Sequence, residues 1–318
     1  MSAPILILTI LGIFALLIAA IRVFAKGSKF YELTSLPLFW YRLLNFKIQP
    51  MWEQRYDYGE QRRQYLLFLK PENQKITKQN IVIYLHGGAW LLGKPEFFRP
   101  NAQSFVEQGY GVILPSYRRV PKYSYTDMRE DLNEMMCCIQ NIVEEHNLHD
   151  KKFILGGVSA GGHLAAHWLY NRAALEQCGW SQDHFSGIFM LASPLDLEQM
   201  KKTMVLNFYT KGKFQDANPI NYLQVEEDLP MLCIQGGKDG LVTYESATTF
   251  VDRYQKIDKD LVQFHRLEEA THLDTSRWAY QEDEVKKLIL DWVKEVEAST
   301  TTQNIESTNQ QFNKSTTI

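Results

Sequence analysis

The chain predicts an α/β fold built on a mostly parallel central sheet with helices on both faces. Two observations carry that expectation. Short continuous apolar runs recur along the middle of the chain, most of them stopped by glycine or proline, and amphipathic helical stretches lie between them. The composition agrees: 45% apolar and 22% charged residues exclude a wholly disordered, collagen-like or coiled-coil protein.

At the N-terminus, Ile5 to Ile21 reads ILILTILGIFALLIAAI. Extended through Val23-Phe24-Ala25, it is long enough for a transmembrane helix, with Arg22 near its end where a long side chain can snorkel. A cleaved signal peptide is the rival, although Met1-Ser2-Ala3 offers no basic side chain. Arg22, Lys26 and Lys29 follow the apolar run, so the expectation is a single-pass anchor over 1–28 with the rest of the chain cytoplasmic. An aromatic-rich juxtamembrane segment follows over 29–55, containing Phe30, Tyr31, Phe39, Trp40, Tyr41, Phe46 and Trp52. These rings suit either a membrane interface or packing on the domain that follows.

The catalytic domain is expected over 56–297. Its strands are read at Tyr65–Leu69, Ile81–Leu85, Gly111–Leu114, Lys152–Leu155, Gly187–Ala192, Met231–Gln235 and Leu261–Phe264. The clearest helix is the last, where Val285, Leu288, Ile289, Trp292, Val293 and Val296 share one face. A short lid insert is expected at about 194–228. Its Leu195, Met200, Met204, Leu206, Phe208 and Tyr209 suit either an acyl pocket or core packing. Residues 298–318, rich in Ser, Thr, Asn and Gln, read as a disordered tail. Lys+Arg 34 against Asp+Glu 37 leaves no basic excess, so nucleic acid is not an expected partner. Four cysteines make no disulfide framework and read as reduced thiols.

In a parallel sheet, reactive groups belong just past the carboxyl ends of strands. Four strand ends here carry them. After the fourth strand, Gly157-Val158-Ser159-Ala160-Gly161 is G-x-S-x-G, a sharp strand-to-helix turn that would expose the Ser159 hydroxyl as a nucleophile. After the second, His86-Gly87-Gly88-Ala89-Trp90 offers backbone N–H groups for an oxyanion hole. After the sixth, Gly236-Gly237-Lys238-Asp239 supplies a carboxylate to orient a histidine, with Asp196 as the rival acid. After the seventh, His272 would be the general base and then the general acid. His163 and His167 stand at i,i+4, a metal-ligand spacing, but no third ligand is evident; no metal or organic cofactor is expected.

The order Ser159, Asp239, His272 resembles that of α/β-hydrolases. Within that superfamily the chain is similar to the branch carrying H-G-G-x-W with G-x-S-A-G-G-H. That branch contains hormone-sensitive-lipase-like carboxylesterases, bacterial feruloyl-esterase-like proteins, kynurenine formamidases and isoprenylcysteine methylesterases. The resemblance runs from about Tyr56 to Val296 and includes Tyr58-Gly59 and Tyr117-Arg118 with Pro121. It implies the α/β-hydrolase fold, with an oxyanion hole from the backbone of Gly88, Ala89 and Ala160. It departs from the lipase-like pattern H-G-G-G at Ala89, which weakens a lipase assignment. The expected function is that of a membrane-anchored serine esterase cleaving carboxylic esters through an acyl-enzyme. Its partners would be a small-molecule ester, partly lipophilic, and membrane lipid around the N-terminal helix. An arylformamidase with the same machinery and a non-catalytic hydrolase-fold scaffold are the alternatives.

Overall fold

The structure is a computed structural model; it describes residues 3–73 and 75–315, and the side chains of these up to 302. Its strands are β1 (Met51–Asp57), β2 (Tyr65–Pro71), β3 (Asn80–Leu85), β4 (Gly111–Pro115), β5 (Lys152–Val158), β6 (Phe185–Leu191), β7 (Met231–Gly236) and β8 (Val262–Leu267). They form one sheet in the order β1-β2-β4-β3-β5-β6-β7-β8. β1 with β2 and β2 with β4 are antiparallel, and every other pairing is parallel. The helices are α1 (Ala3–Phe24), α2 (Lys29–Leu44), α3 (Arg99–Val106), α4 (Tyr125–His146), α5 (Ala160–Tyr170), α6 (Arg172–Gln177), α7 (Met204–Thr210), α8 (Tyr244–Gln255), α9 (His272–Ser276) and α10 (Glu284–Ser315).

Alternate residues of each strand feed two cores. Ile81, Ile83 and Leu155 pack with Leu132 and Ile139 of α4, Leu164 and Trp168 of α5, and Phe250 of α8. Val82, Tyr84 and Ile154 pack on the other face with Phe105 of α3 and Ile289, Trp292 and Val293 of α10. Both faces being covered explains why the inner parallel strands are largely apolar rather than alternating, whereas β8, at the edge, carries Gln263, His265 and Arg266.

The structure corrects the expected boundaries at both ends. β1 lies inside the segment expected to be juxtamembrane, with Trp52 packed against the core. It carries no continuous apolar run because it is an edge strand, and Glu53, Arg55 and Asp57 sit on it. α2 also lies on the domain: Phe39 and Leu43 are buried against Leu273 and Ala279, and Trp40 meets Phe97 edge-on at 5.6 Å. Phe30, Tyr41 and Phe46 remain exposed. The folded part therefore begins near Lys29, not at 56. At the other end α10 runs through Ala298, where a tail was expected to start. Glu297 accepts from the Gln79 and Asn80 backbone N–H groups, and buried Thr300 accepts from the Asn80 side chain. Those contacts secure the start of β3 and carry the helix onward; residues 316–318 of the expected tail lie outside the described residues.

α1 has 22 residues, a length of ~33 Å at the α-helical rise, and no buried residue. By length and composition, with a mean hydropathy of 2.9, it is apolar enough to cross a membrane, a test that a signal sequence also passes.

Candidate active site

The turn after β5 shows why its residues are small. Ser159 has φ 53° and ψ −124°, a positive-φ conformation outside the common wells that costs a non-glycine residue about 1–3 kcal/mol. Its N–H donates to the Leu191 carbonyl at 2.8 Å, which fixes the strained residue between β5 and β6. A methyl group on Gly161 would overlap the Leu85 carbonyl, and one on Gly157 would reach 2.5 Å from the Gly161 carbonyl carbon. Only glycine lets α5 leave the strand this steeply. Ser159 is half-buried, so a substrate can reach it.

His272 is the first residue of α9, with Thr271 capping that helix through Asp274. Its Nε2 lies 3.0 Å from the Ser159 hydroxyl and its Nδ1 lies 2.8 Å from an Asp239 oxygen. In the tautomer this arrangement selects, Nδ1–H donates to Asp239 and Nε2 accepts from Ser159. The Asp239 carboxylate is fully engaged: it also accepts from the Leu241 and Val242 N–H groups at 2.8 Å and from the Gln235 amide at 3.1 Å. Burial pulls the His272 pKa down, but the Asp239 charge and hydrogen bond, with a smaller contribution from Glu32, outweigh it and leave the imidazole above its ordinary value. The Gly236-Gly237 pair lets the two loops close on each other, with Lys238 N–H donating to the Ala270 carbonyl at 2.9 Å. Asp196, the rival acid, is used elsewhere: it accepts from Glu198 N–H and from the Asn218 amide.

Beyond β3, Gly88 has φ 128° and its carbonyl accepts from the Leu91 and Leu92 N–H groups. Ala89 and Trp90 both have positive φ, 53° and 55°. Among the described residues, the Gly88 and Ala89 N–H groups donate to no protein acceptor. The Ala89 departure noted in the sequence is thus a residue held in strain rather than a relaxed glycine. Trp90 holds the loop by stacking on Tyr209 of α7 at 4.3 Å and is buried there. His86 anchors the loop's start, stacked on Tyr117 at 4.5 Å; burial lowers its pKa to about 3 and keeps it neutral. Ala160 follows Ser159 at the start of α5.

The i,i+4 histidines of α5 have structural partners. His163 Nε2 meets the Ala217 carbonyl at 2.9 Å and His167 Nε2 the Asp216 carbonyl at 2.8 Å, tying the insert between β6 and β7 down onto α5. Within the insert Leu195, Leu206 and Tyr209 are buried in the core, while Met204 and Phe208 are exposed. Among the described residues no His, Cys, Asp and Glu cluster could hold a metal ion.

One residue beside this site carries no sequence signature. Glu32, wholly buried on α2, accepts from the His272 N–H at 2.7 Å. The only hint is a lone acid among Phe30, Tyr31 and Leu33 on an otherwise aromatic and aliphatic stretch.

The BD-FAE family model matches residues 67–254, more than half of the chain. The chain belongs to the BD-FAE family. It is 27% identical over 177 residues to a probable isoprenylcysteine alpha-carbonyl methylesterase, ICME, of Oryza sativa subsp. japonica, covering 54% of this chain and 41% of that protein. It is 24% identical over 235 residues to Esterase LipC of Mycobacterium tuberculosis, covering 68% of this chain and 58% of LipC. The chain thus spans about two fifths to three fifths of the length of these relatives. Among solved structures, esterase B of Lactobacillus rhamnosis superposes with a TM-score of 0.69 at 17% identity, covering 90% of this chain and 97% of that one. A bacterial heroin esterase gives 0.66 at 16% identity, covering 83% and 89%. The fold these BD-FAE residues adopt is the α/β-hydrolase fold, as the sequence resemblance implied.

Proposed function

We propose that this chain is a membrane-anchored carboxylic ester hydrolase with Ser159 as nucleophile, His272 as general base and then acid, and Asp239 as the orienting carboxylate. The observation that carries the reading is the unbroken hydrogen-bond chain from the Ser159 hydroxyl through His272 to Asp239. Ser159 Oγ attacks the ester carbonyl carbon as His272 Nε2 takes the hydroxyl proton. The carbonyl oxygen becomes an oxyanion that the N–H groups of Gly88, Ala89 and Ala160 receive. His272 then returns the proton to the departing alkoxide, leaving an acyl-enzyme. Water, deprotonated in turn by His272, releases the acid and restores Ser159. Throughout, Asp239 keeps the ring oriented and stabilises the imidazolium. The names of the methylesterase and esterase relatives support an ester as substrate. The apolar α1 supports a membrane anchor, and Arg22, Lys26 and Lys29 after it support a cytoplasmic catalytic domain.

Fluorophosphonate labelling of the full-length chain tests the reading. The wild type should label. Ser159→Ala should not, and its kcat should fall by about 10³–10⁶ with the melting temperature retained. Near-wild-type turnover by purified Ser159→Ala would rule Ser159 out. A panel of p-nitrophenyl esters set against N-formylkynurenine decides between ester and formamide, and faster turnover of the formamide would reassign the substrate class.

A further inference from the structure

Glu32 is a carboxylate with no exposure, and the groups it holds belong to the catalytic loops. One of its oxygens accepts from His272 N–H at 2.7 Å and from Gly240 N–H at 3.3 Å; the other accepts from Leu273 N–H at 3.4 Å. Gly240 is the residue after Asp239. One buried side chain therefore bridges the backbones that carry the base and its orienting acid. All its partners are N–H donors, which suits the ionised form, since a protonated oxygen would face donors with a proton of its own. Burial raises the Glu32 pKa above the ordinary carboxylate value and the Asp239 charge adds to the rise, while the His272 charge and the His272 and Gly240 N–H bonds oppose it.

Local packing makes the approach specific. Ser28 caps α2 by accepting from Tyr31 N–H, which sets the helix start. A methyl group on Gly240 would lie 2.5 Å from the Ser28 carbonyl, so only glycine lets α2 come this close to the Asp239 loop. The other charges on these elements are engaged with one another at the surface: Lys238 and Lys26 with Glu269, and Arg277 with Asp274 and Asp283. Lys29 and Arg42, on α2 itself, are exposed. The groups facing His272 are thus Asp239 and Ser159 on its ring and Glu32 on its backbone.

We infer that Glu32 is a positioning residue for the Ser159–His272–Asp239 machinery: it fixes the spacing of the histidine and aspartate loops and adds a second negative charge beside the imidazolium. The inference rests on the triad reading above. It makes the helix directly after the apolar span a working part of the site, although none of its atoms touches the reacting centre.

The test uses full-length protein in detergent micelles, with wild type, Ser159→Ala, Glu32→Gln and Glu32→Asp compared by melting, fluorophosphonate labelling and a kcat/KM pH profile on a soluble ester. Glu32→Gln keeps the shape, loses the charge and puts a donor against N–H groups. Its kcat should fall by about 10–100-fold with KM nearly unchanged, as for a slightly misplaced catalytic group. Its acidic limb should move to lower pH, because removing a nearby negative charge makes His272 easier to deprotonate. Glu32→Asp keeps the charge but shortens the reach; it should hold the wild-type limb while losing part of kcat, and it decides the matter on kcat if the Gln variant does not fold. Wild-type kcat and limb in folded Glu32→Gln would overturn the inference, as would a drop in melting temperature with unaltered kinetics. A labelled Ser159→Ala would instead sink the triad reading, so the two failures are told apart.

Discussion

Two carboxylates hold His272, and they do it from different parts of the molecule. Asp239, on the loop after β7, meets the ring nitrogen at 2.8 Å. Glu32, on α2 and 240 positions earlier in the chain, meets the backbone nitrogen of the same residue at 2.7 Å. In the proposed mechanism the ring contact acts on proton chemistry: it selects the tautomer and stabilises the imidazolium. The backbone contact cannot select a tautomer; in the proposal it acts through place and through charge. The first lies in a loop whose Gly-Gly-x-Asp spacing at a strand end announces it. The second lies beside an apolar run, in a stretch whose aromatic composition suits a membrane interface and packing on the domain alike.

The largest effect that separates the two should come from Asp239→Asn. The amide can donate to Nδ1 and so favour the wrong tautomer, leaving Nε2 protonated and unable to accept from Ser159. The expected loss in kcat is about 10⁴-fold, well beyond that of Glu32→Gln, with folding retained. A stopped assay on purified protein measures it. A loss no greater than that of Glu32→Gln would erase the distinction between ring and backbone support.

Next in size is a change at the turn that carries Ser159. A Cβ at position 161 would overlap the Leu85 carbonyl, a backbone atom that cannot rotate away. Gly161→Ala should therefore lower stability by about 1–3 kcal/mol, the range of overpacking in a well-filled interior. Chemical denaturation reads that value directly. Stability equal to wild type would mean that α5 can shift outward without cost, against the close approach argued for G-x-S-x-G.

How much of this was legible in the sequence depends on the range of the interaction that decides it. Ser159, Asp239 and His272 each follow an apolar run ended by a turn, so a local pattern marks each one, and the sheet brings them together. β1 carries no such mark because an edge strand needs no apolar run: Arg55 pairs with Asp57, and Glu53 pairs with Arg99 of α3. Thr300 read as tail because its value lies in hydrogen bonds to Asn80 and Ser186, on other strands. Glu32 escaped for the same reason, since its partners are backbone groups that any residue would supply. The i,i+4 spacing of His163 and His167 is also a metal-ligand spacing, but no third ligand stands out in the sequence, and both rings meet backbone carbonyls.

Those histidines give a smaller, titratable effect. Burial lowers the His163 pKa from 6.5 to about 3, so the folded protein keeps it neutral while the unfolded chain protonates it. The unfolded state thus binds one more proton between pH 6.5 and about 3, and stability falls as pH falls through that window. His163→Gln cannot take up that proton. Urea midpoints followed from neutral pH to pH 4.5 should give the variant a shallower decline than wild type, by up to about 1.4 kcal/mol per pH unit. Parallel declines would place His163 in a protonated or solvated state in the fold.

The smallest effect on turnover should come from removing the most apolar part of the chain. No residue of α1 is buried, whereas the contacts with the loops of Asp239 and His272 begin at Lys26, which pairs with Glu269, and culminate in Glu32. Deleting Met1 to Ala25 should leave kcat/KM for a small soluble ester within about twofold of wild type, since the groups that bind the transition state are all retained. The same deletion should release the protein from membranes if α1 is an uncleaved anchor, which fractionation and intact-mass measurement of the N-terminus together establish. A mature protein beginning near Lys26 would replace the anchor with a cleaved leader. A large loss of turnover in the deleted protein would show that α1 itself sets the position of α2. The boundary between the apolar segment and the proposed catalytic machinery would then lie inside the first helix, and the contrast between the two carboxylates would become one between a fixed loop and a lever set by α1.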